Sequence, residues 1–463
     1  MSLRAARGYA NLNSKQIFTK IAKVKPDVTG PFTLRIEIDS LPFSLHDQKG
    51  ISLTLNSNQL QGGGSISIEN CSNFILTASG TCSLAHADKF FLKIHNCHNF
   101  IIQDLQTTGG RHTLLVTDSQ LFRVSRLQVE KGHGYGIIIF NSSNFSLGHC
   151  RIENNLAGIM VVGNSGNGRI ANCHVSKLHG FFNCDAGIHL CATSNAITPE
   201  DLPERCHEPL SIEQKSRRPR TIVIQDTTCA DCRAQGIYLE GAVNCLVQNN
   251  IIINNNKEGI CFDWGSCYNL FIDNIVTLNG ERRSLSEEEI QVDFIGQYPL
   301  LEDGSSSMKL PGISIDNGCM NLIASNKIAG NYGGGIKMIR SAMLNAIHTN
   351  TLIANTIGNN RFLPPFHGIS VLGVGTGTRE FTDGKKSLLD FLPSIANSIT
   401  DNMLQEEGHP LFLDNKCIKN TIQGNIIRRN PACTGRKSVF KKISAFLRRW
   451  AWRCCHIAGK KTS

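Results

Sequence analysis

The chain has 463 residues, of which 41% are hydrophobic and 18% charged, with 42 glycines and 14 prolines. This composition can build a hydrophobic core, and it excludes a disordered chain, a collagen-like repeat and a heavily charged helical array. The formal net charge is +10, and nearly all of it belongs to the last 28 residues. Because the body of the chain is close to neutral and aromatic residues make up only 7%, we expect no nucleic-acid partner.

The N-terminal segment, residues 1–60, is predicted to be a cap that contains a strand over Phe32–Ile38. Basic residues open the chain, but no apolar run of signal-peptide length follows them, so we expect no Sec signal. No segment reaches the about 20 apolar residues of a membrane-spanning helix. We therefore expect a cytoplasmic protein, with a peripheral position at the inner membrane face as the open alternative.

A repeat of 22 or 23 residues fills residues 61–430. Each unit reads Gly-Ile-x-apolar-x, followed by two shorter apolar steps that are each preceded by Asn or Cys. Clear units begin at Gly136, Gly158, Gly187, Gly236, Gly259, Gly312, Gly335 and Gly368, and degenerate ones begin near Ile66, Leu92, Leu114 and Leu411. Alternating runs punctuated by Asn and Gly predict strands, and a period this short predicts one strand-built coil per unit, about twelve in all.

The unit is clearest in Gly236–Glu258, which reads GIYLEGAVNCLVQNNIIINNNKE. It resembles the repeats of the right-handed parallel β-helix, or pectin-lyase-like, superfamily, especially its carbohydrate-binding and sugar-hydrolase members. The resemblance implies an all-β fold, a single-stranded right-handed parallel β-helix with Ile and Leu inside and Asn ladders along its turns. The superfamily includes hydrolases, lyases, epimerases and non-catalytic scaffolds, so the likeness leaves the activity open.

Three acidic residues fall at the same place in successive coils. Residues two and four after the repeat Gly should face solvent on one sheet, and the second of these positions is occupied by Glu240, Asp263 and Asp316. Like charges stacked on neighbouring strands are destabilising, so the column predicts a catalytic site with a proton donor and a base. A solvated polar face without a function is the alternative.

Further candidates lie on the same face. His189 and Lys337 complete the candidate catalytic set, as a base and as a cation beside the acids. Tyr238 and Trp264 would supply flat surfaces for sugar rings, with a partly exposed packing role as the alternative for either, and Asn317 and Arg340 would add polar contacts to a substrate. The repeat is interrupted near residues 192–219, 282–311, 359–367 and 373–397, on both sides of this strand, which is typical of the binding face of a solenoid.

The predicted partner is a polysaccharide. One hypothesis is hydrolysis by paired carboxylates, similar in outline to β-helix polygalacturonases, although their Asn-Thr-Asp, Asp-Asp and Arg-Ile-Lys motifs are missing here. Another is uronate lyase or C5-epimerase chemistry, with Lys337 or Arg340 neutralising the substrate carboxylate and His189 or a column acid as the base. A non-catalytic scaffold that binds a glycan or a protein is the third hypothesis.

No cofactor and no metal site are predicted, although Ca²⁺ held by the acids is conceivable because that ion takes oxygen ligands. Cys229 and Cys232 have metal-ligand spacing but no second pair, and His189, Cys191, Cys206 and His207 would approach one another only near one loop. The 18 cysteines recur at fixed points of the repeat, which favours buried thiols over disulfides.

Residues 431–463 are predicted to form a basic amphipathic helix. Phe440, Ile443, Phe446, Leu447 and Trp450 share one helical face, and nine basic residues without any acid lie between 436 and 461. This pattern is typical of a helix on an anionic membrane surface. A helix that covers the end of the solenoid is the alternative.

Overall fold

The computed structural model describes residues 32, 34–57, 64–83, 89–180, 182–193, 198, 217–281, 309–339, 342–355, 367–371, 394–405, 410–414 and 417–428. Within them the chain winds into a parallel β-helix with three sheets, as the repeat predicts, and each full coil adds one strand to each sheet. Among these residues one short 3-10 helix, Asn183–Asp185, lies between the strands His174–Ser176 and Ile188–Cys191. No helix in the described part is long and apolar enough to cross a membrane.

Sheet 1 has 14 strands in chain order, all paired in parallel. Its strands are Leu34–Ile38, Lys49–Leu55, Ser72–Ala78, His98–Gln103, Gln120–Ser125, Ser143–Gly148, Gly166–Ala171, Arg220–Gln225, Leu246–Gln248, Leu270–Ile272, Leu322–Ala324, Ala346–His348, Ser398–Thr400 and Thr421–Gln423.

Sheet 2 has 13 strands and carries the Gly-Ile units. Its strands are Phe43–His46, Ile66–Glu69, Phe90–His95, His112–Thr117, Tyr135–Phe140, Ala157–Val162, Ile188–Cys191, Ile237–Glu240, Ile260–Asp263, Ile313–Asp316, Ile336–Ile339, Ile369–Val371 and Leu411–Leu413.

Sheet 3 has 12 strands and closes the tube. Its strands are Thr81–Ser83, Gln106–Thr108, Gln128–Glu130, Arg151–Glu153, His174–Ser176, Thr228–Ala230, Ile251–Ile253, Ile275–Thr277, Lys327–Ala329, Thr351–Ile353, Met403–Gln405 and Ile426–Arg428.

The solenoid begins earlier than the sequence predicts. Leu34–Ile38 pairs in register with Lys49–Leu55, so part of the predicted cap of residues 1–60 is already the first coil. The early coil lacks the Gly-Ile signature, yet Ile51, Leu53 and Leu55 alternate and are buried in the core, which is what stacking requires.

Inward-pointing apolar side chains form one continuous core along the axis. Phe74, Phe100, Phe122 and Phe145 stack with ring centroids 4.8–5.5 Å apart, one ring per coil. Because each coil has only a thin apolar interior, its burial depends on the coils above and below it.

The predicted Asn ladders line the turns. In the longest one, each side-chain amide donates to the amide oxygen of the next coil at 2.9–3.0 Å, through Asn250, Asn274, Asn326, Asn350, Asn402 and Asn425. These amides also donate to backbone carbonyls, as Asn274 does to Val247 at 2.9 Å. The ladder therefore satisfies buried polar groups that would otherwise be costly.

Cysteines occupy equivalent turn and core positions. All 14 cysteines of the described residues are free thiols, as the repeat predicts. Cys71 and Cys97 each accept a backbone N–H from the preceding coil, at 3.4 and 3.3 Å. Cys229 and Cys232 are fully buried in the core, and burial raises the pKa of the Cys232 thiol to about 12. The two thiols therefore pack as apolar side chains.

The interruptions of the repeat occur at the two corners that border sheet 2. The chain leaves sheet 2 after Cys191 and Val371, and it returns to sheet 2 from sheet 3 at Ile313 and Ile369. Antiparallel bridges close two of these excursions, Thr193 with Arg217 and Glu281 with Lys309. The basic tail 431–463 lies outside the described residues.

Candidate functional site

The outer face of sheet 2 changes character along the axis. In the two coils before His189 it is apolar: Ile138, Phe140, Met160 and Val162 are fully or almost fully buried in a second hydrophobic cluster outside the tube. The two columns that these residues occupy continue into polar residues from His189 onwards. The candidate site therefore begins at the coil of His189, directly after these apolar residues.

The structure brings the three predicted acids into one column. Glu240 lies directly opposite Asp263 in the parallel ladder. Asp316 ends the next strand, in which Ile315 lies opposite Phe262. The column points out of the tube but does not face open solvent as expected, because Asp263 is 3% and Asp316 5% exposed, while the Glu240 side chain retains 14%.

Two donors hold Asp263. The Tyr238 hydroxyl donates to Oδ2 at 3.1 Å, and the backbone N–H of Trp264 donates to Oδ1 at 2.7 Å. Both aromatic rings are buried, at 2% and 4% exposure. The exposed sugar-stacking surfaces expected from the sequence are therefore not found at these two residues, and Tyr238 stacks on His189 and orients an acid instead.

His189 is joined to Glu240 across 51 residues of sequence. Its Nε2 lies 3.1 Å from Glu240 Oε2, and its ring stacks on Tyr238 with centroids 4.7 Å apart. The ring is 1% exposed, and Nδ1 has no hydrogen-bond partner within the described residues. Cys191, opposite Glu240, donates to the same Oε2 at 3.5 Å.

The cluster of His189, Cys191 and Glu240 was not predicted as a set. Their ligating atoms all lie within 4.8 Å of one another. The sequence contains the signal, since Cys191 and Glu240 both stand four residues after a repeat Gly, and His189 stands two after. The interruption near residues 192–219 hides their adjacency. Cys206 and His207, the other two residues considered there, lie outside the described residues.

Lys337 lies at the far end of the column, opposite Ser314 and two residues from Ile339, which pairs with Asp316. Burial lowers the pKa of the half-buried Lys337, and the charge of Glu258 offsets part of this effect. Asn317 follows Asp316 in a left-handed turn, as Trp264 follows Asp263, and is 8% exposed. Arg340 lies outside the described residues.

Several solved structures are similar to this chain at low identity. The A-module of the mannuronan C-5 epimerase AlgE4 from Azotobacter vinelandii is 11% identical, with a TM-score of 0.41, over 87% of this chain and 88% of that one. The surface adhesin PfbA of Streptococcus pneumoniae is 11% identical, with a TM-score of 0.45, over 80% and 84%. The catalytic domain of a GH87 α-1,3-glucanase is 13% identical, with a TM-score of 0.40, over 85% and 62%.

No curated protein matches the chain. The sequence profile described as "Right handed beta helix region" matches residues 44–201 and 210–379, which is most of the chain. These ranges include every strand that carries the acid column and both residues, His189 and Lys337, at its ends. The chain belongs to the right-handed β-helix family.

Proposed function

We propose that this protein acts on a polysaccharide that lies along the outer face of sheet 2 and reacts at the column of Glu240, Asp263 and Asp316. The observation that carries the proposal is the in-register pairing of Glu240 with Asp263, with Asp316 on the next coil. Opposed like charges destabilise a sheet, and little exposure increases their cost. Acid–base catalysis by these carboxyl groups would explain why the fold keeps them stacked despite this cost.

Hydrolysis of a glycosidic bond suits this spacing best. Neighbouring strands lie about 4.8 Å apart, close to the about 5–5.5 Å between the carboxyl groups of retaining glycosidases. Asp263, which accepts hydrogen bonds from Tyr238 and Trp264, is suited to be the nucleophile. Asp316, on the next coil, is suited to be the proton donor. Glu240 and His189 then border the reacting bond.

Lyase or C5-epimerase chemistry is the second candidate. It is favoured by Lys337, which lies one coil beyond Asp316 and whose ammonium group could neutralise the carboxylate of a uronate. A column acid or His189 would then remove the proton next to that carboxylate. The two candidates differ in their products, so one set of assays separates them.

The test is incubation of the full chain with a panel of neutral and uronic-acid polysaccharides. Reducing ends report hydrolysis, unsaturated-uronate absorbance reports elimination, and proton NMR reports epimerisation. We expect Asp263→Asn and Asp316→Asn each to lower kcat/KM by about 10²–10⁴. Asp273→Asn, at an exposed turn away from the column, is the matched control and should leave kcat/KM unchanged.

A protein that is silent in all three assays, yet binds a glycan equally well with both Asp residues changed to Asn, would be a scaffold. That result would refute the enzymatic proposal and leave the glycan-binding one in place.

We further propose that residues 431–463 hold the protein at an anionic membrane surface. Support comes from the nine basic residues without an acid and the apolar stripe from Phe440 to Trp450. The full chain should sediment with vesicles containing phosphatidylserine, less so at high salt, and a chain ending at residue 430 should not. Equal sedimentation of the two chains would contradict the proposal.

A further inference from the structure

The three side chains at the start of the acid column have the donor set of a metal site. His189 offers a ring nitrogen, Cys191 a sulfur and Glu240 a carboxylate oxygen, all within 4.8 Å of one another. They come from two neighbouring strands of sheet 2, so a regular part of the fold positions them. We propose that these three residues bind one Zn²⁺ ion.

The contacts match the dimensions of zinc coordination. Zinc binds sulfur at about 2.3 Å and nitrogen or oxygen at about 2.0–2.2 Å, so tetrahedral ligand atoms lie about 3.3–3.6 Å apart. His189 Nε2 is 3.1 Å from Glu240 Oε2, and Cys191 Sγ is 3.5 Å from the same oxygen. All three ligand atoms lie within 4.8 Å of one another, and an ion between them would draw them towards the tetrahedral distances.

The chemistry of the ligands selects the ion. A set of nitrogen, sulfur and oxygen suits Zn²⁺, whereas Ca²⁺ and Mg²⁺ require oxygen ligands throughout. The Ca²⁺ considered from the sequence would thus be a poor occupant of this cluster. Three protein ligands leave a fourth tetrahedral position for water or substrate, which is the pattern of catalytic zinc sites rather than structural ones.

The surroundings hold the ligands in place. Ring stacking on Tyr238 fixes the plane of the buried His189 imidazole. Among the described residues it takes the place of the hydrogen bond to the second ring nitrogen that most zinc-bound histidines make. Met160 and Val162, the residues opposite His189 and Cys191 on the preceding coil, are fully buried and wall off one side.

A dication here would also offset the charge stacking in the column. Glu240 stands opposite Asp263, and the ion would neutralise Glu240 next to that second carboxylate. The role of the ion rests on the proposed function, because the ion would be a Lewis acid beside the reacting carboxylates. The binding of the ion does not rest on the proposed function.

The test is metal binding to the full chain after treatment with a chelator. We expect one equivalent of Zn²⁺ by competition with a chromophoric chelator, and one equivalent of Co²⁺ with the near-ultraviolet charge-transfer band of a thiolate ligand. Cys191→Ser should abolish that band and weaken Zn²⁺ binding by more than the about 10–100-fold that loss of an outer-shell partner costs. Glu240→Gln and His189→Gln should weaken binding similarly.

Cys261→Ser is the matched control, because Cys261 is a buried thiol on the same face, opposite Tyr238. It should retain both the stoichiometry and the cobalt band. No stoichiometric binding, or binding that survives Cys191→Ser and Glu240→Gln alike, would overturn the site. Asp316→Asn separates the two proposals, since it should lower kcat/KM as stated above and leave zinc binding intact.

Discussion

At the scale of single residues, the outer face of sheet 2 holds a titratable group far from the acid column. His112 is 4% exposed and lies between the rings of Phe90 and Tyr135, with centroids 4.9 and 5.7 Å away. Its Nδ1 accepts the Tyr135 backbone N–H at 2.9 Å. Burial, reinforced by the charges of Arg111 and Lys89, lowers the pKa of His112 to about 3.

Stability should therefore fall as the solution is acidified. An unfolded His titrates near 6.5, so between pH 6.5 and about 3 the unfolded chain binds a proton that folded His112 does not. Its contribution is complete above pH 6.5 and is lost by up to about 1.4 kcal/mol per pH unit below it. The measurement is the free energy of unfolding in denaturant at pH 7.5 and 5.

His112→Gln keeps a hydrogen-bond acceptor but cannot titrate, so it should lose less stability than the native protein between these two pH values. His149→Asn, at an exposed turn, should behave like the native protein. An equal loss in the native protein and in His112→Gln would show that His112 is not the group responsible.

At the scale of the repeat element, the Asn ladder sets the conformation of each turn. Asn326 Oδ1 accepts both the backbone N–H and the side-chain amide of Asn274, at 2.9 and 3.0 Å. Its own amide donates to Phe271 O at 3.0 Å and to Asn350 at 2.9 Å. One side chain thus satisfies buried groups on the coils before and after its own.

Asn326→Ala should lower the free energy of unfolding by about 3 kcal/mol or more, because each buried polar group left unpaired costs about 1–3 kcal/mol. Lys327→Ala, at the adjacent exposed position, should change it by less than about 0.5 kcal/mol. Denaturant titration of both variants checks the prediction. A loss below 1 kcal/mol in Asn326→Ala would mean that water replaces the ladder.

At the scale of the whole molecule, burial depends on the neighbouring coil. Ile399 and Leu404 are 0% and 1% exposed, whereas their partners one coil later, Ile422 and Ile427, are 39% and 49% exposed. These residues have the same place in the repeat and the same chemistry. What differs is that, among the described residues, a further coil covers only the first two, as expected for a solenoid.

Ile399→Ala should therefore cost about 2–5 kcal/mol of unfolding free energy, and Ile422→Ala less than about 1 kcal/mol. The pair is matched in residue type, sheet and register, so denaturant titration compares burial alone. A large cost at Ile422 in the full chain, reduced in a chain ending at residue 430, would show that the tail covers the last coil rather than binding a membrane.

The fold was largely predictable because a solenoid of constant period converts sequence spacing into register. The positions of Glu240 and Asp263 four residues after their repeat glycines are enough to place them on neighbouring strands. The start of the solenoid at Leu34 was not predictable from the Gly-Ile signature, since the first coil keeps only the alternation of apolar residues.

The sequence by itself determined the coil, its inward Ile and Leu residues, its Asn ladders and the column of three acids, because all of these follow from local alternation and a fixed repeat. Only the tertiary structure decided that Tyr238 and Trp264 are buried beside Asp263, and that His189 and Cys191 meet Glu240. The contacts of His189 and Cys191 with Glu240 cross the break in the repeat that closes at Thr193 and Arg217. Across this break, spacing in the sequence does not predict distance in space. Only the folded chain therefore brings His189, Cys191 and Glu240 together.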